Sequence, residues 1–195
     1  MRKSKGLWPL TLTVMLTMLS AMSIVLGKLL AVNLGEVLRL SFENLPIIFA
    51  GLAFGPLAGA AVGLVADTVG CLLVGYAINP LVTCGAVFIG FASGAVSHML
   101  KKKCARDAIR IGTSVAVAHV GGSVILKTVG LAMYYAMPLH TLMLWRALNY
   151  LLVGVAEGVA LYFIMQNSGV KRAISSVRPT RKSSSGEDKE VNCDL

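Results

Sequence analysis

The apolar positions of this chain form long runs with few interruptions. The run over residues 45–82 is 38 residues long and is broken only by Asp67, Asn79 and a few small polar side chains. As one helix it would measure about 57 Å, against a membrane hydrocarbon core of roughly 30 Å. The run therefore has to reverse direction. Gly55-Pro56 is the predicted turn, because a proline ring clashes with the preceding helical turn.

Six such runs predict an all-α integral membrane protein with six transmembrane helices. Only helices and closed barrels satisfy backbone groups in lipid, and these runs are too long for barrel strands. We expect the second span to fall short of a full crossing. The predicted spans cover approximately residues 8–31, 42–54, 57–76, 80–100, 111–136 and 141–166.

The two ends of the chain raise separate questions. The basic and apolar start is similar to a signal peptide, but its apolar run continues for some twenty residues to Lys28. A retained first span is therefore favoured over a cleaved leader. We expect residues 1–166 to form the transmembrane domain. Residues 167–195 are polar and Ser-rich, which predicts a disordered cytoplasmic tail.

Composition favours the membrane as the solvent of this chain. Hydrophobic residues make up 56% of it and charged residues only 14%, whereas a soluble domain carries roughly 25% charged residues. Too few polar groups remain to cover a surface that faces water.

The positive charges predict the orientation of the spans. All but four of the 18 lysines and arginines fall in three clusters, before span 1, between spans 4 and 5, and after span 6. Even numbers of spans separate the clusters, so all three lie on one side, which is the cytoplasm by the positive-inside rule. Both termini are therefore expected in the cytoplasm of a multi-pass plasma membrane protein. The net charge of +9 then needs no nucleic-acid partner to explain it.

The four remaining cations lie elsewhere. Lys28 ends the first span and can reach the interface, while Arg39 is near Glu36 and Glu43 and either pairs with them or contacts a ligand. Lys127 and Arg146 lie within spans, where a charge needs a partner or a wet cavity. Two interpretations stay open for Lys127 and Arg146. They form ion pairs with Asp67 or Glu157, or they line a pocket for an anionic ligand.

Small residues recur every four positions in the apolar run over residues 45–82. Gly59, Gly63 and Asp67 lie near one face of span 3, because four residues advance a helix by about 400°. Small residues let helices approach closely in lipid, so Gly59 and Gly63 are predicted helix-packing positions. Asp67 then faces protein, where it holds a cation or accepts a hydrogen bond from a ligand.

Several catalytic and metal-binding patterns are missing from the sequence. No G-x-x-x-x-G-K-[ST], H-E-x-x-H or G-x-S-x-G motif occurs. The three histidines do not share a spacing typical of metal ligands. An intramembrane enzyme is accordingly disfavoured. His119 in span 5 is either a hydrogen-bonded core residue or a ligand contact.

One segment carries a family resemblance. "LRLSFENLPIIFAGLAFGPLAGAAVGLVADTVG" resembles the signature of the substrate-binding S components of energy-coupling-factor (ECF) vitamin transporters. It shares the R-x-S-F start and the G-x-x-x-G-P-x-x-G-x-x-x-G-x-x-x-D-x-x-G series. "YAINPLVTCGAVFIGFASG" and "MPLHTLMLWRALNY" are similar to the third loop, fourth helix and sixth-helix entry of the folate-type branch. The resemblance covers about residues 10–166.

The resemblance implies a subunit that binds a vitamin at its outer face, in a pocket capped by the loops at residues 32–43, 77–79 and 137–140. It implies partners as well: a transmembrane coupling protein, docked on small residues of the first helix, and two ABC-type ATPases. Ala21 and Gly27 are the docking candidates. The chain would have no cofactor of its own and is not an enzyme, because the partners hydrolyse ATP.

The substrate is expected to be folate or a related anionic vitamin or precursor. Lys127 and Gly130 stand where folate-type members carry Asn and Trp, which adds a cation and removes an aromatic ring. Tyr76, Trp145 and Tyr150 are candidate aromatic walls. The predicted substrate-binding residues are Arg146, Lys127, Tyr150, Asn79, Arg39, Asp67 and His119. The alternative function is an ion-gradient-driven secondary transporter or channel subunit, with Asp67 and Glu157 as proton-titrating sites.

Overall fold

The computed structural model describes residues 7–29, 31–34, 38–102, 106–135 and 139–177. Most of these residues are helical, and two short strands pair after the first helix. The helices are α1 (Leu7–Ile24, continued as a π-helical segment over Val25–Leu29), α2 (Asn44–Phe54), α3 (Pro56–Val74), α4 (Pro80–Lys102), α5 (Asp107–Ala118), a second π-helical segment (His119–Leu126), α6 (Lys127–Tyr135), α7 (Leu139–Gln166) and α8 (Ser168–Val177); the strands are β1 (Val32–Leu34) and β2 (Leu38–Leu40).

Within the described residues, four stretches of helix are long and apolar enough to cross a membrane. They are Pro56–Val74, Pro80–Lys101, Asp107–Met133 and Leu142–Gln166. Two further apolar helices, Thr11–Gly27 and Asn44–Phe54, are shorter. The 11 residues of α2 reach only about 16 Å, as expected for the short second span. The prediction of six spans stays a prediction.

The turn predicted inside the long apolar run is present between α2 and α3. Gly55 joins them with φ 101° and ψ 176°, a backbone conformation that only glycine adopts readily. Pro56 then begins α3 at a position where its missing N–H costs nothing. We call the end of the bundle with this turn the turn end, and the opposite end, where α2 begins, the hairpin end.

The central helix α4 packs against α2, α3, α5, α6 and the second π-helical segment. Gly59 and Gly63 lie where α3 crosses it. A Cβ at Gly59 would contact the carbonyl oxygen of Gly90, and one at Gly63 would contact that of Ala86. Backbones therefore touch at these positions. This close approach lets dispersion contacts hold helices together in lipid, where apolar burial provides little driving force.

The spans are helical as predicted, and the predicted outer loop that follows α1 contains a short hairpin that the sequence analysis did not anticipate. Val32–Leu34 and Leu38–Leu40 form an antiparallel pair in which Asn33 is opposite Arg39. Alternating apolar and polar residues in "VNL" and "LRL" have the two-residue period of a strand. Three residues per strand are too few for this pattern to have been recognised in a chain of long apolar runs.

The prediction of a disordered tail from Asn167 onward is wrong for residues 168–177. Ser168–Val177 form α8, which contacts α7 and α1. Its apolar positions Val170, Ile174 and Val177 recur at helical spacing, and Val177 is only 1% exposed. Burial of this face stabilises a helix whose overall composition is polar. The rest of the predicted tail lies outside the described residues.

Candidate functional site

One face of α7 carries polar side chains into the bundle, from its first turns near the hairpin end to beyond its middle. Arg146, Tyr150 and Glu157 lie on it at spacings of four and seven residues, which are neighbours on a helix. Arg146 Nη2 donates to the Tyr150 hydroxyl oxygen at 3.3 Å, and its Cζ lies 5.4 Å from the centroid of that ring. The guanidinium is thus held over an aromatic face.

The Tyr150 ring connects Arg146 to a buried histidine. It stacks on His119 with a centroid separation of 5.3 Å. His119 is 4% exposed, and its Nε2 lies 2.7 Å from Glu157 Oε2. His119 Nδ1 lies 3.3 Å from the Ser123 hydroxyl. Both ring nitrogens therefore have a partner within the chain. This is the arrangement expected if His119 is a hydrogen-bonded core residue, the first of the two interpretations offered for it above.

The network continues from Ser123 to Lys127 through Asn44. Asn44 Nδ2 donates to Ser123 Oγ at 3.5 Å, and Lys127 Nζ donates to Asn44 Oδ1 at 3.4 Å. Asn44, Ser123 and Glu157 are fully buried. Polar groups in such surroundings need hydrogen bonds to offset lost hydration. The first residue of α2, the second π-helical segment and α7 are thereby tied together.

Lys127 forms an ion pair, although with neither of the carboxylates considered from the sequence. Its Nζ lies 2.9 Å from Glu43 Oε1. Glu43 immediately precedes α2, and its backbone carbonyl also accepts a hydrogen bond of 2.6 Å from Ser23 Oγ in α1. Of the two interpretations left open for Lys127, the structure has an ion pair, but its partner is Glu43 rather than Asp67 or Glu157. The contact joins residues 84 positions apart, so local spacing offered no sign of it.

Asp67 and Asn79 hold the junction of α3 and α4. The Thr83 hydroxyl donates to Asp67 Oδ2 at 2.7 Å. Asn79 Nδ2 donates to the Gly130 carbonyl at 2.8 Å, and Asn79 Oδ1 accepts from the Leu81 N–H at 3.1 Å. Asn79 thus links the start of α4 to α6, and its amide is engaged within the chain.

The space that Asp67 shares with Lys127 is small. Its volume is about 20 Å³, whereas pockets for small organic ligands have roughly 300–1,000 Å³. These two side chains line a packing void rather than a vitamin-sized cavity. Arg146 differs from Lys127, which is paired with Glu43. Within the described part of the chain, no carboxylate lies within 4.0 Å of Arg146. Its Nε is buried and has no hydrogen-bond partner among those residues.

The other predicted residues are dispersed. Of Arg39 only the backbone, in β2, belongs to the described structure. Tyr76 and Trp145 are 55% and 43% exposed, so they do not form an enclosed aromatic wall. Ala21 is exposed on α1, whereas Gly27 is buried, and a Cβ there would lie 2.6 Å from Glu43 Cβ. Gly27 therefore faces its own chain, and the docking prediction is wrong for this residue.

Three polar residues were missed from the sequence: Asn44 and Ser123 of the network, and Thr83 beside Asp67. Asn44 stands at the start of an apolar run, Ser123 lies inside one, and Thr83 has no distinctive neighbours. The available signal was position: Asn44 follows Glu43 directly, and Ser123 lies four residues after His119 and four before Lys127, on the same helix face.

A family model matches residues 11–177, which is most of the chain. The family is described as ECF transporter, substrate-specific component. The chain belongs to this family. The match extends through α8, the helix that the sequence analysis had assigned to the tail. None of the curated protein sequences matches the chain significantly.

Solved structures share the fold of this S component. A crystal structure of FolT bound with folic acid superposes with a TM-score of 0.62 and 22% identity, over 77% of this chain and 88% of that one. The S component for biotin from an ECF-type ABC transporter gives 0.61 and 17%, over 89% and 99%. The S component of a bacterial ECF transporter gives 0.57 and 18%, over 86% and 98%. At these identities the likeness shows the fold alone.

Family membership decides between the functions that the sequence left open. The protein is the substrate-binding subunit of an ECF-type importer and a multi-pass protein of the plasma membrane. It is a transport subunit rather than an enzyme. The alternative of an ion-gradient-driven transporter is set aside, and the hydrogen bonds of Asp67 and Glu157 to Thr83 and His119 have a structural explanation.

Proposed function

We propose that this S component takes up folate or a related anionic vitamin or precursor at the hairpin end, and that Arg146 binds a carboxylate of the substrate. The observation that carries the proposal is the burial of Arg146 and its lack of a neutralising partner among the described residues. It is half-buried in a membrane helix, its Nε is buried without a partner, and no described carboxylate neutralises it. A buried cation of this kind favours an anionic ligand.

Tyr150 and His119 would support that role without contacting the anion themselves. The Tyr150 ring under the guanidinium and its hydroxyl fix the direction of Arg146. His119 stacks on the same ring and is anchored by Glu157. A guanidinium held in one orientation loses less entropy when it forms the two parallel hydrogen bonds of a carboxylate fork.

Lys127 has a different role in this proposal. Its charge is neutralised by Glu43, so it orders the start of α2 instead of binding the anion directly. Asp67 and Asn79 likewise hold α3, α4 and α6 in place. Arg39 remains a candidate ligand contact in the outer loop. Folate as the substrate is supported by the fold shared with FolT, whose structure contains folic acid.

We further propose the arrangement in the membrane and the partners. Six helices cross it, both termini are cytoplasmic, and the hairpin end faces outward. The protein works with a transmembrane coupling protein, which contacts α1 at Ala21, and with two ABC-type ATPases. The importer then needs no cofactor on this chain. Exposure of Ala21 and membership in the ECF family support these assignments.

Replacement of Arg146 tests the proposed carboxylate clamp. Arg146→Ala should weaken folate binding by roughly 2–5 kcal/mol, in the range for truncating one partner of a buried charge pair. Arg146→Lys keeps the charge but loses the planar fork, so affinity should fall by less while the fold is kept. Titration of purified protein with folate, beside the melting temperature without ligand, measures both effects.

Pteroate provides the matched ligand control, because it lacks the glutamate carboxylates of folate. If Arg146 binds that tail, wild-type protein should prefer folate to pteroate, and Arg146→Ala should remove the preference. A large drop in the ligand-free melting temperature with unchanged folate affinity would contradict the clamp and indicate a structural role. Mass spectrometry of the small molecule that co-purifies with wild-type protein checks folate against other anionic vitamins.

A further inference from the structure

A basic crevice opens at the turn end. Its volume is about 670 Å³, and α4, α5, α7, α8 and the Gly55-Pro56 turn enclose it. Lys101, Arg110 and Lys171 line it, with Asp107 as the acidic residue among its lining. The formal charge of this lining is therefore positive, and nothing in the proposed substrate site accounts for it.

The cations of the crevice are only partly neutralised by the chain itself. Arg110 Nη2 lies 3.0 Å from Asp107 Oδ1, while Arg110 Nε is buried and has no hydrogen-bond partner among the described residues. Neither Lys101 nor Lys171 has a carboxylate of a described residue within 4.0 Å of its ammonium group. Guanidinium and ammonium donors converging on one space are the groups that bind phosphate oxygens.

An apolar groove runs along the bundle between α5, the second π-helical segment and α7. Its volume is about 870 Å³, and its lining extends from Ala108 to Val124 on one side, a distance of about 24 Å along a helix. Gly112 and Gly158 lie in this lining, and a Cβ at either would meet no heavy atom within 4 Å. Missing side chains therefore create an open channel longer than the roughly 15 Å of one lipid leaflet.

The crevice and the groove meet at Tyr162, which lines both. A charged compartment joined to an apolar channel has the polarity pattern of an amphiphile. A soluble phosphate compound would fit the crevice but would leave the groove unexplained. The groove alone would accept any acyl chain, whereas the cations select an anionic headgroup.

The helix α8 places the crevice at the depth of lipid headgroups. The long apolar helix Leu142–Gln166 ends with only Asn167 before α8 begins, and the end of such a span lies at the membrane surface. Lys171 and Arg172 are exposed on α8. Lys171 therefore lies where the phosphate of a phospholipid is found.

We propose that the turn end holds one anionic phospholipid, with its phosphate bound by Lys101, Arg110 and Lys171 and one acyl chain lying in the groove beside Gly112 and Gly158. The phosphate-binding end of this site shares no residue with the proposed vitamin site, whereas the groove continues along α7 to His119 and Tyr150. The lipid would tie α8 and α5 to α7 at the membrane surface.

Lipid retention by the full chain in detergent, followed by native mass spectrometry, tests the headgroup half of the proposal. The probes are phosphatidylglycerol and phosphatidylcholine with identical acyl chains. Wild-type protein should retain phosphatidylglycerol preferentially, and Lys171→Gln should lower its affinity about fivefold, the effect of one interfacial cation. The neighbouring Arg172→Gln is the matched control, because Arg172 is exposed on the same helix but does not line the crevice. Equal losses in both variants would overturn a defined site.

The acyl-chain half needs a separate variant. Gly158→Leu should fill the groove and reduce retention of both lipids, while the melting temperature shows that the protein still folds. Val65→Leu, on the exposed surface of α3, is the control for added apolar volume. The second measurement is competition between inorganic phosphate and phosphatidylglycerol for the wild-type protein. If phosphate competes with phosphatidylglycerol and Gly158→Leu has no effect, the crevice binds a soluble phosphate group and the lipid proposal is wrong.

Discussion

A series of buried hydrogen bonds leads from Lys127 through Asn44, Ser123 and His119 to Glu157, and its donors all point in one direction. Lys127 donates to Asn44, and Asn44 donates to Ser123. When His119 Nε2 donates to the Glu157 carboxylate, Nδ1 is left to accept from the Ser123 hydroxyl. Each donor thus points from the cation toward the carboxylate. Aligned bonds of this kind polarise one another in a medium of low dielectric constant, so the network acts as a unit.

Removal of the Lys127 charge tests whether this residue is structural. Lys127→Met keeps an unbranched side chain but leaves Glu43 and Asn44 without their donor. Stability should fall by about 2 kcal/mol, less than the roughly 3–5 kcal/mol for a fully buried pair, because the Glu43 side chain is 23% exposed. Thermal or denaturant unfolding of the ligand-free protein in detergent measures the loss.

The double variant Lys127→Met with Glu43→Gln is the control for this prediction. If the pair is the source of the stability, the double variant should lose less than the sum of the single variants, since contacting residues couple by roughly 0.5–3 kcal/mol. An unchanged melting temperature in Lys127→Met, together with weaker folate binding, would instead make Lys127 a direct ligand contact.

At the scale of residues, the sequence identified the polar side chains but not their partners. Lys127, Arg146, His119 and Asp67 were recognisable because polar groups are rare in apolar runs. The pairing of Lys127 with Glu43 depends on how the start of α6 is placed beside the start of α2, which no local pattern encodes. Thr83, whose hydroxyl donates to Asp67, was missed because a threonine in an apolar helix usually bonds to its own backbone.

At the scale of elements, glycine positions had the most predictive value. The four-residue series placed Gly59 and Gly63 on one face of α3, and the structure has that face against α4. Gly55-Pro56 was predicted as the turn and joins α2 to α3. The π-helical segments were not predicted, because a change from i→i+4 to i→i+5 bonding leaves no clear mark in hydrophobicity.

A single methyl group at Gly63 tests the helix contact. In an open helix, Gly→Ala stabilises by up to about 1 kcal/mol. At Gly63 the added Cβ would collide with the carbonyl of Ala86, a backbone group that cannot turn aside, so we expect a net loss of roughly 1–3 kcal/mol. The melting temperature in detergent should fall. Gly63→Leu should lower it further.

Gly112→Ala is the matched control for this contact. Gly112 is also in a helix, but a Cβ there would meet no heavy atom within 4 Å, so its alanine variant should be as stable as wild type or more so. Equal behaviour of the two alanine variants would mean that α3 and α4 do not touch at Gly63 in the membrane.

At the scale of the whole molecule, the structure gathers charges that the sequence keeps far apart. Lys101, Arg110 and Lys171 come from the second and third basic clusters, and all line the crevice beside the Gly55-Pro56 turn. The second and third clusters therefore share one end of the described bundle. The first cluster lies outside the described residues, and the cytoplasmic location of all three clusters stays a prediction. The sequence could not show that the clusters enclose a shared crevice, because that depends on how α8 folds back.

Cysteine labelling of intact cells tests which end of the molecule is cytoplasmic. In a background without the four native cysteines, a cysteine at Ser185 or Lys103 should resist a membrane-impermeant reagent, and one at Asn33 should react. The reason is electrostatic, since lysine and arginine near span ends are retained in the cytoplasm. All three sites should react once the cells are permeabilised, which checks that each cysteine is accessible. Reaction at Ser185 in intact cells would refute an even number of crossings between the basic clusters, and α2, with only 11 residues, would be the first segment to reassign.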